Sequence, residues 1–335
     1  WERDLPSFPP DEKGLASRDS SGKVLNALAQ RIPYLLGGAA DLAPSTKSDL
    51  KGEPSFEAHA YGGRNFHFGV REHAMGAICN GMALSRLRPY GSGFLIFSDY
   101  MRPSVRLSAL MELTVTWIFT HDSIGVGEDG PTHQPVEQLP SLRGIPGLLV
   151  IRPCDANEVA EAWRVILTRK HEPACLILSR QALPTLDRGK VASASGLARG
   201  AYVLADAEGG RPQVILIGTG SEVGLCLQAG AELAKEGVRA RVVSMPSWEL
   251  FEQQEQAYKD EVLPPDILAR VAVEQAATLG WERYVGVNGT VIGMRSFGAS
   301  APAKALLDKF GFTVEKVAAA AREQVQRGAS RQAAE

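Results

Sequence analysis

The stretch Asn65–Leu110 reads NFHFGVREHAMGAICNGMALSRLRPYGSGFLIFSDYMRPSVRLSAL, and it contains one arrangement twice. In each half a short strand pattern gives way to a helix pattern. Such alternation favours a parallel sheet covered by helices on both faces. It continues through TVTWIFTHDSIG at Thr114–Gly125 and GLLVIRPCDANEVAEAWRVIL at Gly147–Leu167, where Asp155 is predicted to cap the helix.

The second part of the chain repeats the same alternation of strands and helices, beginning with QVILIGTGSEVGLCLQAGAELAKEG after a polar stretch near residue 200. Its segment IGTGSEVG, Ile217–Gly224, resembles a dinucleotide-binding loop, but the third glycine comes one residue too late. We therefore interpret it as a tight strand-to-helix turn. The sequence predicts an α/β protein with two consecutive three-layer domains, each built on a mostly parallel sheet, at 15–190 and 201–335, with linkers at 1–14 and 191–200.

Composition and charge narrow the classes of function. Of 335 residues, 44% are hydrophobic and 22% charged, and the net charge is −2 without a basic cluster. This argues against nucleic acid as a partner, and the lack of an apolar run of spanning length argues against a membrane. The four cysteines show no metal-binding or redox spacing, which fits structural thiols in a reducing cytosol. We therefore expect a cytoplasmic protein, and we interpret Trp1–Gly14, which lacks the features of a secretion signal, as an extended linker cut from something longer.

The densest polar cluster is THDSIGVGEDGPTHQPVEQ, Thr120–Gln138, which contains His121, Asp129 and His133. It follows an apolar strand, so it is predicted to lie at the carboxyl edge of the sheet, where α/β proteins bind ligands. A solvated surface loop is an equally simple interpretation of its composition. Zinc is disfavoured because the spacing of the histidines fits no standard closed site.

Several other side chains have both a structural and a functional interpretation. Glu72, at the predicted start of a helix, is either a favourable charge for the helix dipole or a carboxylate that contacts a cofactor. Phe94, Phe97 and Tyr100 recur at three-residue steps, which is typical of a core but also of an aromatic cofactor pocket. A third group is ordinary residue by residue but together suits a phosphate site, since guanidinium groups bind phosphate bidentately: Arg18, His121 and Arg180.

Taken together, eight motifs between about Arg18 and Val317 resemble the transketolase family. They are GGAADLAPS (Gly37–Ser45), FGVREHAM (Phe68–Met75), THDSIGVGEDGPTHQPVEQ (Thr120–Gln138), RPCDANE (Arg152–Glu158), LILSRQ (Leu176–Gln181), GTGSEV (Gly218–Val223), RVVSMPS (Arg241–Ser247) and SFGASAP (Ser296–Pro302). The resemblance implies a pyrimidine-binding domain at 15–190 and the family's C-terminal domain at 201–335. It also implies transfer of a two-carbon ketol unit from a ketose phosphate to an aldose phosphate with thiamine diphosphate, as in the pentose phosphate pathway.

The resemblance assigns roles to individual residues. Glu72 matches the catalytic glutamate that hydrogen-bonds the aminopyrimidine ring nitrogen and favours its imino tautomer. The other residues matched to cofactor contacts are Asp41, Phe94, Phe97 and Tyr100. Those matched to the substrate phosphate are Arg18, Ser45, His121 and Arg180. Asp129 and His133 match residues that hydrogen-bond the sugar hydroxyls near the reacting carbons, and we count His133 as catalytic.

The resemblance also implies partners. The family chain is about twice as long, and its amino-terminal domain carries the diphosphate site and the ligands of Mg²⁺ or Ca²⁺; no metal ligand is expected in the present sequence. A homodimer that binds sugar phosphates is implied. Two alternatives stay open: another thiamine-dependent enzyme (a deoxyxylulose-phosphate synthase, a dihydroxyacetone synthase or a 2-oxo-acid dehydrogenase β subunit), or a non-catalytic subunit that acts by assembly. Whether the chain is one half of a transketolase or a non-catalytic subunit, it is predicted to be inactive by itself.

Overall fold

The computed structural model describes residues 1–332, with side chains described through residue 328. The first part of the chain contains eight strands: β1 (Asp11–Ala16), β2 (Leu35–Ala39), β3 (Asn65–His67), β4 (Arg88–Phe94), β5 (Thr116–Thr120), β6 (Leu149–Ile151), β7 (Ala174–Ile177) and β8 (Ala182–Thr185). Its helices are α1 (Ser17–Arg31), α2 (Ala43–Thr46), α3 (Glu72–Leu84), α4 (Ser98–Leu110), α5 (Gln138–Arg143) and α6 (Ala156–Thr168).

Six of these strands form one sheet in the order β3-β2-β4-β5-β7-β6, and every pair in it is parallel. Strands β5 and β7 are buried along their whole length, as expected for a sheet covered on both faces. One buried cluster, including Leu28 and Trp163, lies on one side of the sheet, and another, including Met75 and Trp117, lies on the other. The predicted three-layer α/β fold is confirmed for this part of the chain.

The second part of the chain contains strands β9 (Tyr202–Ala205), β10 (Val214–Gly218), β11 (Ala240–Ser244), β12 (Arg270–Ala277) and β13 (Thr290–Met294). Its helices are α7 (Glu222–Lys235), α8 (Trp248–Glu252), α9 (Gln256–Val262), α10 (Glu282–Val285), α11 (Ala303–Phe310) and α12 (Val314–Gln332). The sheet order is β13-β12-β10-β11-β9, and only β9 is antiparallel to its neighbour. The mostly parallel second sheet is therefore also confirmed, and the turn between β10 and α7 is the tight one predicted.

The segment before residue 17 is more structured than its sequence suggests. Strand β1 pairs antiparallel with β8, and Gly14 approaches the Leu183 carbonyl so closely that a Cβ would lie 2.0 Å from its oxygen. Leu5 and Phe8 pack against the core of the first sheet. The linkers at 1–14 and 191–200 stay a prediction; the latter stretch forms a 3₁₀ turn at Ala194–Arg199 between the two sheets.

The two sheets are joined by buried polar contacts. Arg143 of α5 makes a bidentate ion pair with Glu274 of β12, at 2.9 and 2.7 Å, and both side chains are almost fully buried. Glu158 of α6 accepts hydrogen bonds from Tyr202 (2.7 Å) and Ser244 (2.8 Å). Because a buried charge without a partner costs several kcal/mol, these pairs fix how the two sheets sit against each other.

No helix within residues 1–332 combines the length and apolar character needed to span a bilayer.

Candidate functional site

The carboxyl edge of the first sheet collects most of the candidate residues. Asp41 follows β2, Glu72 follows β3, Phe94 ends β4, His121 follows β5 and Arg180 follows β7. Parallel strands all end at the same edge of a sheet, which is why side chains far apart in sequence come close here. The polar loop that begins at Thr120 follows the carboxyl end of β5, where the sequence analysis placed it; that this edge binds a ligand stays a prediction.

Aromatic and imidazole rings form a stack at this edge. The rings of Phe94 and His121 have centroids 3.6 Å apart and are inclined by 26°. Phe97 lies nearly parallel to Phe94 at 5.8 Å, and the His133 ring stands edge-on to both, at 6.1 Å from Phe94 and 5.5 Å from Phe97. Tyr100 is 6.1 Å from Phe97 and 66% exposed, so it borders the stack rather than filling it.

His121 has an unusual backbone conformation and an unusually low pKa. It is buried, its φ of 60° is left-handed, and Nδ1 lies 2.8 Å from the Thr120 hydroxyl oxygen. Burial, with contributions from the charges of Arg18, Arg180 and His133, lowers the pKa of His121 to about 3. The imidazole is therefore neutral at neutral pH. Left-handed non-glycine residues are strained and concentrate at functional sites.

Two arginines near this imidazole have hydrogen-bond donors that are not used. Arg18 of α1 donates from Nη1 to the Ser45 carbonyl oxygen at 2.9 Å, but its buried Nε has no acceptor in the described part of the chain. Burial lowers the pKa of Arg18; Asp19 opposes this and Arg180 adds to it. Arg180 is exposed and has neither a hydrogen bond nor an ion pair with any described residue. Two neighbouring guanidinium groups with free donors suit a bound anion such as phosphate.

Three candidate side chains do not join the ring stack. Glu72 is the first residue of α3, as predicted, and is partly buried. Asp41 is exposed with a left-handed φ of 62°, and Asp129 is exposed in the polar loop. Among residues 1–328, no hydrogen bond or ion pair engages any of these three carboxylates. They line the same edge but leave their oxygens free.

Residues of the second part of the chain hold the polar loop, and the sequence-based analysis missed them. Gln134 donates from Nε2 to the carbonyl oxygens of Gly127 (2.8 Å) and Ala299 (2.9 Å). Ser300 donates to the Glu128 carbonyl at 2.5 Å, and the Ala277 amide donates to the Val136 carbonyl at 2.8 Å. The motif SFGASAP was the available signal, since it contains both Ala299 and Ser300, but its spacing alone indicates no contact with a loop 165 residues away.

The low pKa of His121 predicts a pH dependence of stability. In the unfolded chain His121 becomes protonated below about pH 6.5, whereas in the folded chain it stays neutral down to about pH 3. Protonation therefore favours the unfolded chain, and the free energy of unfolding falls as the pH is lowered from about 6.5 to about 3. Between pH 7 and 5 this amounts to at most about 2 kcal/mol. Urea unfolding of His121→Gln should show a correspondingly smaller difference between pH 7 and pH 5. The exposed His171→Gln is the control, and an unchanged pH difference in His121→Gln would contradict the assignment.

The geometry so far defines an α/β protein in which one sheet edge carries stacked aromatic rings and two arginines with unused hydrogen-bond donors. Comparison with known families makes this specific. The profile described as "Transketolase, pyrimidine binding domain" matches residues 13–185, and that described as "Transketolase-like TK C-terminal domain" matches residues 200–313. The chain therefore belongs to the transketolase family.

Individual relatives agree with this assignment. The chain is 53% identical over 323 residues to a transketolase of Halalkalibacterium halodurans, covering 96% of this chain and 48% of that relative. It superimposes with a TM-score of 0.91 and 40% identity on a Pichia stipitis transketolase solved with sedoheptulose-7-phosphate, over 97% of this chain and 48% of that one. The chain spans about half the length of the curated relatives it matches.

A structure described as "Split gene transketolase, inactive beta4 tetramer" has the same fold. It matches with a TM-score of 0.75 over 93% of this chain and 99% of that one, at 24% identity. At this identity the likeness concerns the fold alone.

Proposed function

We propose that this chain supplies the aminopyrimidine-binding and sugar-phosphate-binding part of an enzyme that transfers a two-carbon ketol unit from a ketose phosphate to an aldose phosphate. The observation that carries the proposal is the pair Arg18 and Arg180, with free donors, beside the neutral imidazole of His121. The His121 ring lies directly against the Phe94 ring. An anion site in contact with an aromatic pocket suits a reaction that joins a phosphorylated sugar to a flat cofactor.

The described residues fit the pyrimidine end of thiamine diphosphate. Phe94 and Phe97 are inclined by only 9°, and Phe97 is partly exposed, so a flat ring can pack on it. Glu72 has a free carboxylate, which can hold a proton at a ring nitrogen of the aminopyrimidine. Asp41 and Tyr100 border the same edge. When bound, thiamine diphosphate supplies the carbon nucleophile and stabilises the charge that develops on the two-carbon unit.

The proposed substrate residues form two groups, one at the phosphate end of the sugar phosphate and one at the end that reacts. Arg18 and Arg180 bind the phosphate through charge-assisted hydrogen bonds, with Ser45 alongside. The neutral His121 adds a ring N–H donor without the repulsion that a third cation would bring. Asp129 and His133 face the hydroxyl groups near the reacting carbons, and the Thr132 hydroxyl oxygen, 2.9 Å from Nδ1, helps to fix the His133 ring.

The diphosphate and its metal ion are proposed to bind residues outside this chain. Within residues 1–328, no cluster of three or more histidine, cysteine or acidic side chains is arranged to hold a metal ion. The contacts proposed for this chain are one carboxylate and aromatic stacking, neither of which depends on magnesium. The chain by itself is therefore expected to bind thiamine diphosphate weakly and to transfer no ketol unit.

Calorimetric titration with thiamine diphosphate, with and without Mg²⁺, measures this expectation. We expect weak binding of the same strength in both conditions, and weaker binding still for Phe97→Ala. Tight binding that requires Mg²⁺, or ketol transfer by the chain alone, would show that the diphosphate site lies within these 335 residues.

We further propose that the protein forms a homodimer through α3 and α4. These helices pack on each other and expose the apolar side chains of Ile78, Leu84, Tyr100, Leu107 and Leu110, with Met111 exposed directly after α4. Contiguous exposed apolar surface in a globular protein marks an interaction site. Helix α3 begins at Glu72, so a second copy on this surface borders the proposed cofactor site, as expected for an enzyme with its active site between subunits.

Light scattering at micromolar concentrations tests the dimer. We expect twice the mass of one chain for the parent protein and a large shift towards monomer for Leu110→Glu, which places a charge on the proposed interface. Leu268 is similarly exposed but lies on the second domain, so Leu268→Glu should leave the mass unchanged. A parent protein that is monomeric throughout would overturn this proposal.

Two alternatives receive less support. Relatives at about 50% identity are named transketolase, which does not favour the other thiamine-dependent enzymes. A purely structural subunit leaves the free donors of Arg18 and Arg180 unexplained. We propose the pentose phosphate pathway as the setting and the cytoplasm as the location, in keeping with four free, buried cysteines.

A further inference from the structure

The second sheet has a crevice of the kind that usually binds ligands in α/β proteins. From β10 the chain runs through α7 to β11 on one side, and then returns to place β12 on the other side of β10. Ligands of open α/β sheets bind at the carboxyl ends of the strands where the strand order reverses in this way. Here that point is lined by the glycine turn Gly218–Glu222, the start of α7, and Gln275 of β12.

In this protein the crevice is filled by an arginine of the first domain. Arg152, which follows β6 and is fully buried, donates from Nη1 to the Thr219 carbonyl oxygen at 2.9 Å and forms an ion pair with Glu222. Gly220 has a left-handed φ of 54°, and a Cβ there would lie 2.7 Å from the guanidinium carbon, so a side chain at this position would exclude the arginine. Glu222 is itself held by Gln275, whose backbone and side-chain nitrogens donate to it at 3.1 and 2.7 Å.

The same guanidinium group also holds the polar loop of the first domain. Its Nε donates to Asp122 Oδ2 at 2.9 Å, and Nη2 lies 2.8 Å from the same oxygen. Asp122 directly follows His121, and next to it Ser123 caps the 3₁₀ turn that begins at Ile124. One buried cation therefore connects the crevice to the backbone that carries the strained φ of His121.

We propose that Arg152 is a positioning residue: it occupies the crevice of the second domain as a built-in ligand and, through Asp122, holds the His121 ring against Phe94. The second domain then works as a scaffold for the polar loop, and its crevice is closed to a separate small-molecule effector. The inference rests on the proposed function only for the role of His121 as a phosphate ligand. The contacts of Arg152 and Asp122 do not depend on that function.

Proton NMR of the histidine rings tests this without substrate or cofactor. The Cε1 proton of His121, assigned as the signal absent from His121→Gln, should be shifted by the ring current of Phe94, 3.6 Å away. In Arg152→Lys the ammonium cannot reach Asp122, Glu222 and Thr219 together, so this signal should lose most of its shift and move towards that of free histidine. Asp122→Asn keeps the guanidinium group in its crevice and should reduce the shift in the same direction.

The control variant is Arg188→Lys. It alters the largely buried ion pair between Arg188 and Asp155. In the described part of the chain, Arg188 makes no hydrogen bond or ion pair with residues 121–138. Its His121 signal should stay in place. A His121 signal unchanged in both Arg152→Lys and Asp122→Asn would overturn the proposal; where Arg152→Lys does not fold, the Asp122→Asn result alone decides. Because no step measures activity, failure here is distinguishable from failure of the proposed function.

Discussion

Glu72→Gln is expected to remove most ketol-transfer activity from the complete enzyme while leaving its fold intact. Glutamine keeps the shape of the side chain, but it cannot hold the proton that a carboxylate exchanges with the aminopyrimidine ring nitrogen. The direct measurement is hydrogen–deuterium exchange at the thiazolium carbon of bound thiamine diphosphate, which we expect to slow by orders of magnitude. The structural basis is a carboxylate at the start of α3 with no partner among the described residues.

The competing interpretation of Glu72 gives a different result. As a favourable charge at a helix N-terminus, it contributes about 0.3–1 kcal/mol to stability and nothing to exchange. Glu72→Gln would then lower the unfolding midpoint slightly, and hydrogen–deuterium exchange at the thiazolium carbon would keep the parental rate. Glu112→Gln, which neutralises an exposed carboxylate just after α4, is the control and should change neither exchange nor activity.

Local sequence signals predicted the elements that carry the site. Asp155 caps α6 by accepting from the Glu158 amide at 2.8 Å, and α3 begins at Glu72, both as the sequence indicates. These features depend on residues within one helical turn, so a short stretch of sequence specifies them. The strand β1 was missed because its sequence, DEKGLA, lacks apolar alternation and it is paired only by contacts with β8, far along the chain.

Long-range electrostatics were beyond the sequence-based analysis. Neither the stacking of His121 on Phe94 nor its neutral state at neutral pH can be derived from local composition. Phe94 lies on a different strand, and the pKa of His121 is lowered by burial and by the charges of Arg18 and Arg180, which are distant in sequence. Arg152 is the clearest case. It belongs to a recognised motif, yet its partner Glu222 is 70 residues away, and only the packing of the two sheets brings the pair together.

Arg18→Ala and Arg180→Ala should each weaken the binding of phosphorylated donor sugars by roughly ten- to a hundredfold, since a charge-assisted hydrogen bond contributes on the order of 1.5–3 kcal/mol. KM for one donor sugar with and without its phosphate, measured in the complete enzyme, separates this effect from general damage. The unphosphorylated sugar should be almost unaffected. Lys235→Ala removes an exposed positive charge from α7 and is the control, which should leave both KM values unchanged.

The double variant Arg18→Ala/Arg180→Ala makes the prediction sharper. If both guanidinium groups bind one phosphate, the free-energy loss in the double variant should differ from the sum of the two single losses, because groups that contact the same partner are energetically coupled. Their removal should also relieve part of the electrostatic suppression of the His121 pKa, which histidine NMR measures directly. Equal losses for phosphorylated and unphosphorylated sugars in either single variant would place that arginine outside the phosphate site.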